Sequence, residues 1–467
     1  MSEPNARRRP ATGKSALIAV LLSFLWPGLG HLYQRRVRPA VVFALPVLLL
    51  LLVVLWQARD GADILAARLL LVPIAAFFLV LMTLILAGWR LAAMTSVLVE
   101  PSLSTHPPRS RSLTSTWRSQ TRRTIVTFLV LASVVVGMHG LVAWTGLAFL
   151  QGFSRVYVSG PQQTPEPGAT QGDLGVLPTP YVTPKPDGRI NVLLVGADSG
   201  LGYSHSLTDT LMLVSVDPVA MTVDMLSLPR DISQFPLFSG GTFSGKINSL
   251  ASYAEAHPSA FPDGGFGTLT REVGYLLGAP VHYYAYVDLA GFQAVIDAVG
   301  GVDIVNPKKI SDPGYGFPDG TFGFFLAPGP HHLTSKFALA YVRSRNGPGD
   351  NDFTRARRQQ GLLTALKAQL TKPANLTNLP AILTALSKAV QTSYPAEGVP
   401  DLLLLAKQIP ESGVTGYVLG PPYARQPAVS TGTYQLIIDE ARFAALSIRL
   451  FGTESRYYAA PSASPRP

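Results

Sequence analysis

The chain contains no cysteine, so disulfides and thiolate metal sites are excluded, and no compartment is excluded with them. Charge is also scarce: Asp, Glu, Lys and Arg make up 14% of the 467 residues. Acids are the rarer sign, 28 against 38 bases, for a net charge of +10. The basic excess lies beside apolar segments, at Arg7, Arg8, Arg9 and Lys14 and again from Arg109 to Arg123. That placement indicates membrane orientation. No basic patch interleaved with aromatics is present, which excludes a nucleic-acid partner of the single-strand-binding kind. Familiar catalytic signatures are missing as well. There is no HExxH and no glycine-rich dinucleotide fingerprint after a strand. Gly13-Lys14-Ser15 ends like a phosphate loop but has Arg8 where the earlier glycine belongs. In Gly196-Ala197-Asp198-Ser199-Gly200 the serine stands one place late for a nucleophile elbow. Zinc hydrolase, nucleotide kinase and serine hydrolase are therefore poor fits.

The first third is rich in long apolar runs. Those at 39–56, 64–89 and 124–150 approach or exceed the roughly 20 residues that cross a bilayer core. A fourth, Ala16 to Leu32, is broken by Trp26-Pro27-Gly28-Leu29-Gly30, which predicts a bent re-entrant hairpin or a fourth span. Keeping the basic loops in the cytoplasm gives three spans, and crossing at 16–32 gives four. Both arrangements put everything after residue 150 outside the cytoplasm. Residues 151–188 are dominated by Pro, Gly, Thr and Gln and read as a tether. The expected organisation is thus a transmembrane anchor (1–150), a linker (151–188), one globular domain (189–455) and a loose tail (456–467).

In the globular part, short apolar runs alternate with helical ones. Ile190–Val195, Leu211–Val216, Val223–Leu228, Tyr283–Val287 and Val302–Val305 predict strands. Phe337–Val342 reads as a further strand. Leu289–Val299 has helical spacing and ends at Gly300-Gly301, and the runs near 361–371, 379–391 and 399–409 also read as helices. The expected class is α/β, an α-β-α sandwich on a central mixed sheet.

Against the overall scarcity of charge, five arginines crowd residues 343–358 in YVRSRNGPGDNDFTRARR. Guanidiniums repel one another, so such packing calls for an anion, although a solvated basic surface is the commoner fate of an arginine run. If Ala338–Val342 is a strand, Arg343 and Arg345 leave one face. Arg355 and Gln359 share a face of the following helix, which Asn351 or Asp352 can cap. Two such pairs form a fork suited to phosphate oxygens. Asp198 and Asp209 lie at strand ends, where open α/β sheets place sites, and suit Mg²⁺ beside phosphates, although turn or cap roles account for either alone. Arg230 ends the third strand, with a surface ion pair to Asp231 as its simplest role. Lys246 is a weaker candidate, and His331 and His332 read as loop residues.

The segments INVLLVGADSG, LTDTLMLVSVDP, MLSLPRDI, GKINSL, YVDLAGFQAVIDAVGGVDI, FALAYVRSRN and DFTRARRQQGLL occur in this order. Together they resemble the LytR-CpsA-Psr (LCP) family of bacterial envelope proteins, over about 190–371. The resemblance implies a phosphotransferase that moves a glycopolymer from a polyprenyl-pyrophosphate carrier to a cell-wall acceptor such as the muramoyl 6-hydroxyl of peptidoglycan. It implies Mg²⁺, with Mn²⁺ as a substitute, on Asp198 and Asp209. It places the pyrophosphate on Arg230, Arg343, Arg345, Arg355 and Gln359, with Asp352 and Arg358 bracing the arginines and Lys246 in support. Asp198 or Asp209 is the candidate proton acceptor. The apolar runs and basic loops make it a multi-pass bacterial membrane protein with an extracytoplasmic catalytic domain, in contact with membrane lipid, a departure from the resemblance, which implies a single N-terminal span more often. Rival readings are a polyprenyl-pyrophosphate hydrolase and a non-catalytic lipid-binding regulator.

Overall fold

A computed structural model describes residues 16–99, 122–156, 188–197, 207–370, 372, 375, 382, 385, 386, 388–395, 398–428 and 432–458. The chain divides into two compact units, Met1–Gln151 and Gly152–Pro467.

Among the described residues of the first unit, three helices are long and apolar enough to cross a membrane: Val37–Asp60, Ile74–Leu98 and Arg122–Leu147. The second lies further along than the expected 64–89. Pro73 has no N–H to continue a helix, so the apolar run splits into Ala62–Leu71 and Pro73–Val99. The third belongs to a helix that continues from Arg122 to Val156, past the expected boundary at 150. The segment at 16–32 is bent, as its Pro and Gly require, into helices Ala16–Leu25 and Leu29–Tyr33. Gly28 makes the bend. Its φ is +100°, and a Cβ there would stand 2.4 Å from the Ala40 carbonyl oxygen. Most of the basic stretch 109–123, most of the linker and the tail from 459 lie outside the described residues.

The second unit is α/β. Its strands are β1 Ile190–Ala197, β2 Thr208–Asp217, β3 Thr222–Leu228, β4 Ser233–Pro236, β5 Thr242–Lys246, β6 Tyr283–Asp288, β7 Val302–Asn306, β8 Ile310–Gly316, β9 Phe322–Leu326, β10 Gly329–Leu333, β11 Val390–Thr392, β12 Val414–Val418, β13 Ala424–Arg425 and β14 Ile437–Ile438. Six form the central sheet in the order β11-β6-β1-β2-β3-β12. The sheet is mixed: β1 pairs parallel with β6 and antiparallel with β2, and β3 pairs parallel with β12. Alternation along the strands sends Leu193, Val195, Leu211, Leu213, Leu226 and Leu228 to one face. Helices Leu250–Ala256, Gly264–Leu277 and Glu440–Phe451 cover that face. The opposite face, with Thr210, Met212 and Ser227, receives helix Asp352–Leu370.

Two expectations fail here. Phe337–Val342 lies in a helix, Ser335–Arg343, and not in a strand. Ala338 to Val342 are all buried, so the run shows none of the polar alternation that would reveal its period. His331 and His332 belong to β10, which pairs with β7. The expected 379–391 helix falls largely outside the described residues, and its end is β11.

Candidate functional site

The site is built around an irregularity in the β1–β2 ladder. Gly196 pairs with Thr210 and Ala197 with Thr208, so Asp209 is the extra residue of a β-bulge. A bulge leaves its residue out of the ladder and re-aims it. Asp209 accordingly turns its carboxylate to Arg230, whose Nη1 donates to Oδ1 at 2.9 Å. Its carbonyl oxygen is 3.5 Å from Arg355 Nη2. Arg230 reaches this point because Pro229 ends β3 just before it.

Helix Asp352–Leu370 supplies the next groups. Its first turn is closed by reciprocal bonds, Thr354 N–H to Asn351 Oδ1 and Asn351 N–H to Thr354 Oγ1, each 2.9 Å. Asn351 is therefore the cap. Asp352 in the first turn stands 3.2 Å from Arg355 Nη2 and 3.9 Å from Arg345 Nη1. One turn on, Gln359 donates to Thr210 Oγ1 at 3.0 Å and to the Val342 carbonyl at 3.2 Å. Arg343 and Arg345 arrive by a helix C-terminus and an extended Ser344, and not along a strand. Carbonyls at that helix end favour the cation at Arg343.

Asp209, Arg343, Arg345, Arg355 and Gln359 stand together at one cavity of about 390 Å³. Its deeper wall is apolar, formed by Met212, Phe292, Leu339, Leu362, Leu366 and Leu386. A much smaller groove shares Asp209, Arg355 and Gln359 with the cavity and adds Arg230 and Asp352. The sequence-predicted cations thus converge from three separate stretches of chain.

Burial lowers the affinity of the Arg355 guanidinium for its proton, and its neighbours Arg230 and Arg345 act the same way against the carboxylates of Asp352 and Asp209. Burial also pulls on Arg230, but its hydrogen bond to Asp209 and the charges of Asp209, Asp352 and Asp231 outweigh it, and the net direction is upward. A partly desolvated group in which arginines outnumber carboxylates gains by binding an anion.

Two predicted residues, Lys246 and Arg358, do not line the cavity, and a third, Asp198, is not described. Lys246 is paired with the buried Asp231, whose other oxygen is 3.8 Å from Arg230 Nε. Asp231 is therefore a buried partner of both bases and not a surface one. Arg358 is 7% exposed and does not line the cavity, donating to the Ser344 carbonyl with its Nη1 3.3 Å from Asp350. Asp198 lies outside the described residues. It directly follows Ala197, whose register partner Thr208 directly precedes Asp209. Among the described residues no cluster of three metal-ligating side chains occurs. Asp209, with its side chain 27% exposed at the cavity mouth, suits a cation that keeps waters and shares ligands with a phosphate.

Gln360 was not singled out from the sequence. It is 5% exposed and bridges the helix to the sheet, donating to Ser227 Oγ at 2.8 Å and to the Tyr417 carbonyl at 2.7 Å. Its place next to Gln359 was the available signal, since adjacent helical residues face about 100° apart.

Comparisons with known proteins bear on the same region. A family model described as the LytR_cpsA_psr family matches residues 166–442. The polyisoprenyl-teichoic acid–peptidoglycan teichoic acid transferase TagU of Bacillus mycoides is 31% identical over 213 residues, 46% of this chain and 63% of its own length. The regulatory protein MsrR of Staphylococcus aureus is 34% identical over 218 residues, 46% of this chain and 59% of its own length. The chain therefore spans less than two thirds of the length of these two relatives. The crystal structure of B. subtilis TagV matches with a TM-score of 0.47 at 23% identity, covering 57% of this chain and 97% of that one.

Proposed function

The chain belongs to the LytR_cpsA_psr family, and we propose that it is a phosphotransferase acting on a glycopolymer carried by a polyprenyl pyrophosphate. It transfers the polymer with its proximal phosphate to a hydroxyl of the cell envelope, the peptidoglycan muramoyl 6-hydroxyl being the favoured acceptor. The observation that carries this reading is the meeting of Asp209, Arg230, Arg345 and Arg355 where a polar mouth opens on an apolar cavity. A ligand with a charged head and a hydrocarbon tail satisfies both halves. Each tail CH₂ buried there contributes about 0.8 kcal/mol. The TagU relatives, named as teichoic acid transferases to peptidoglycan, support the same class of reaction.

The pyrophosphate diester carries two negative charges that repel an incoming oxygen. Arg343, Arg345, Arg355, Arg230 and Gln359 hold those oxygens and receive the charge that shifts in the transition state. The acceptor oxygen attacks the sugar-proximal phosphorus and forms the new P–O bond. The bridging P–O bond breaks, and its electron pair leaves with polyprenyl phosphate. Asp209, which faces both the cavity and the Arg230 groove, takes the hydroxyl proton. Asp352 orients Arg355 and Arg345. Mg²⁺, or Mn²⁺ in its place, would be held by Asp209 and Asp198 and would supply further charge neutralisation at the phosphates. The apolar helices support a multi-pass bacterial membrane protein, and on this reading its catalytic domain faces the extracytoplasmic side, where acceptor and carrier meet.

Turnover of a synthetic polyprenyl-pyrophosphate sugar, measured before and after chelation of divalent cations, tests the metal assignment. Turnover is expected to fall strongly and to return on adding Mg²⁺. Unchanged turnover in chelator would remove the metal-holding role of Asp198 and Asp209.

A further inference from the structure

Behind the arginines lies a buried acid that the proposed reaction does not use. Asp312 sits in β8, opposite Phe324 in β9, and is 1% exposed. Its Oδ2 accepts a hydrogen bond from Ser344 Oγ at 2.8 Å and one from the Asn346 N–H at 3.4 Å. Its Oδ1 is buried with no hydrogen-bond partner. Half-satisfied buried carboxylates are costly, and one that persists calls for a reason beyond packing. Ser344, itself 1% exposed, is the residue between Arg343 and Arg345.

The same turn is held from its other side. Arg358 donates to the Ser344 carbonyl and stands 3.3 Å from Asp350, while Thr354 Oγ1 donates to Asp350 at 3.3 Å. Further along, Gly347 backs onto β8 so closely that a Cβ there would lie 2.7 Å from the Ser311 carbonyl oxygen. Lys308 Nζ donates to the Gly349 carbonyl at 3.2 Å. The 344–350 loop is therefore wedged between β8 and helix Asp352–Leu370. At its arginine end, the side-chain bond to β8 comes from Asp312.

We infer that Asp312 is a positioning residue: through Ser344 it fixes the Arg343–Ser344–Arg345 turn, and with it the separation of two guanidiniums on a substrate it never touches. A fixed separation discriminates a two-phosphate head, which both arginines grip together, from a single phosphate, which the Arg230–Arg355 side can hold alone. The inference rests on the pyrophosphate reading given above.

Its test is the affinity of the full chain, in detergent micelles with magnesium, for farnesyl pyrophosphate and for farnesyl phosphate. Asp312→Ala is expected to weaken pyrophosphate binding about tenfold, the scale of one lost charge-assisted hydrogen bond, and to leave monophosphate binding unchanged. Asp312→Asn keeps the acceptor oxygen and restores the discrimination. Ser344→Ala reproduces Asp312→Ala, and the double variant adds nothing, because one linkage is broken twice. If Asp312→Ala does not fold, Ser344→Ala and Asp312→Asn make the same comparison. Equal losses for both lipids, additive losses in the double variant, or no loss at all would overturn the assignment. Arg345→Ala separates the two levels. Pyrophosphate binding untouched by Arg345→Ala removes the reading beneath. Binding lost in Arg345→Ala but kept in Asp312→Ala and Ser344→Ala removes the positioning role alone.

Discussion

At the candidate site Arg230 donates to Asp209 at 2.9 Å, and Asp352 stands 3.2 Å from Arg355 and 3.9 Å from Arg345. Arg355 and Gln359 were legible because four-residue spacing puts them on one helical face whatever the tertiary context. Asp209 was recognisable at a strand end, but the bulge that turns it to Arg230 depends on pairing with β1, which no local pattern in β2 records. Asp312 acts entirely through long-range contacts and left no local signal, and Gln360 offered only its place beside Gln359. Among the arginines, Arg345 gives the cleanest test, since its side chain is 41% exposed and its removal disturbs little packing. Arg345→Ala is expected to lower transfer about 10²- to 10³-fold with an unchanged melting temperature. Normal transfer would remove it from the clamp. A second residue reports on the fold. His282 is buried, and its Nδ1 accepts the Asn191 N–H at 3.0 Å, which requires a neutral ring. Burial lowers its pKa from 6.5 to about 4. Folding therefore disfavours protonation, so this contribution is complete above pH 6.5 and is lost as the pH falls toward 4. Stability should drop by about 3 kcal/mol across that window, and a His282→Gln variant should show a flatter curve in pH-dependent urea unfolding. Parallel curves for the two proteins would assign the acid sensitivity elsewhere.

Among the elements, the decisive one is helix Asp352–Leu370, which carries Arg355 and Gln359 to the cavity and Gln360 to the sheet. Its register depends on the cap at Asn351. Asn351→Ala should cost about 1 kcal/mol in thermal unfolding and should weaken anion binding along with it, because the first turn holds both Asp352 and Arg355. Loss of neither would show that packing alone sets the helix start. The strand expected at 337–342 failed for a related reason. A five-residue run buried on every side carries no period, and length could not separate helix from strand. The convergence of Arg343 and Arg345 survived that error because a helix end followed by an extended Ser344 delivers both side chains to the same mouth. In the first unit, Pro73 moved the second apolar helix some ten residues along, a displacement that hydropathy averaged over a window hides.

At the scale of the whole molecule, the chain combines a unit whose described residues include three helices long and apolar enough to cross a membrane with an α/β unit holding the candidate site. Apolar runs of span length followed by a Pro-rich stretch predict such a division without tertiary information. Basic residues flanking the apolar runs predict that the second unit lies outside the cytoplasm. External protease on intact cells should then remove the 190–460 region, and protection of that region would reverse the topology. The central claim joins the scales: cations from separate stretches meet beside an apolar cavity to hold a lipid pyrophosphate while its polymer is passed on. The measurement that reaches it most directly follows a polyprenyl-pyrophosphate saccharide labelled in its sugar-proximal phosphate, incubated with the full chain and peptidoglycan. The account predicts label joined to peptidoglycan and stoichiometric release of polyprenyl phosphate. Label released only as soluble sugar phosphate, or a donor left intact, would contradict it.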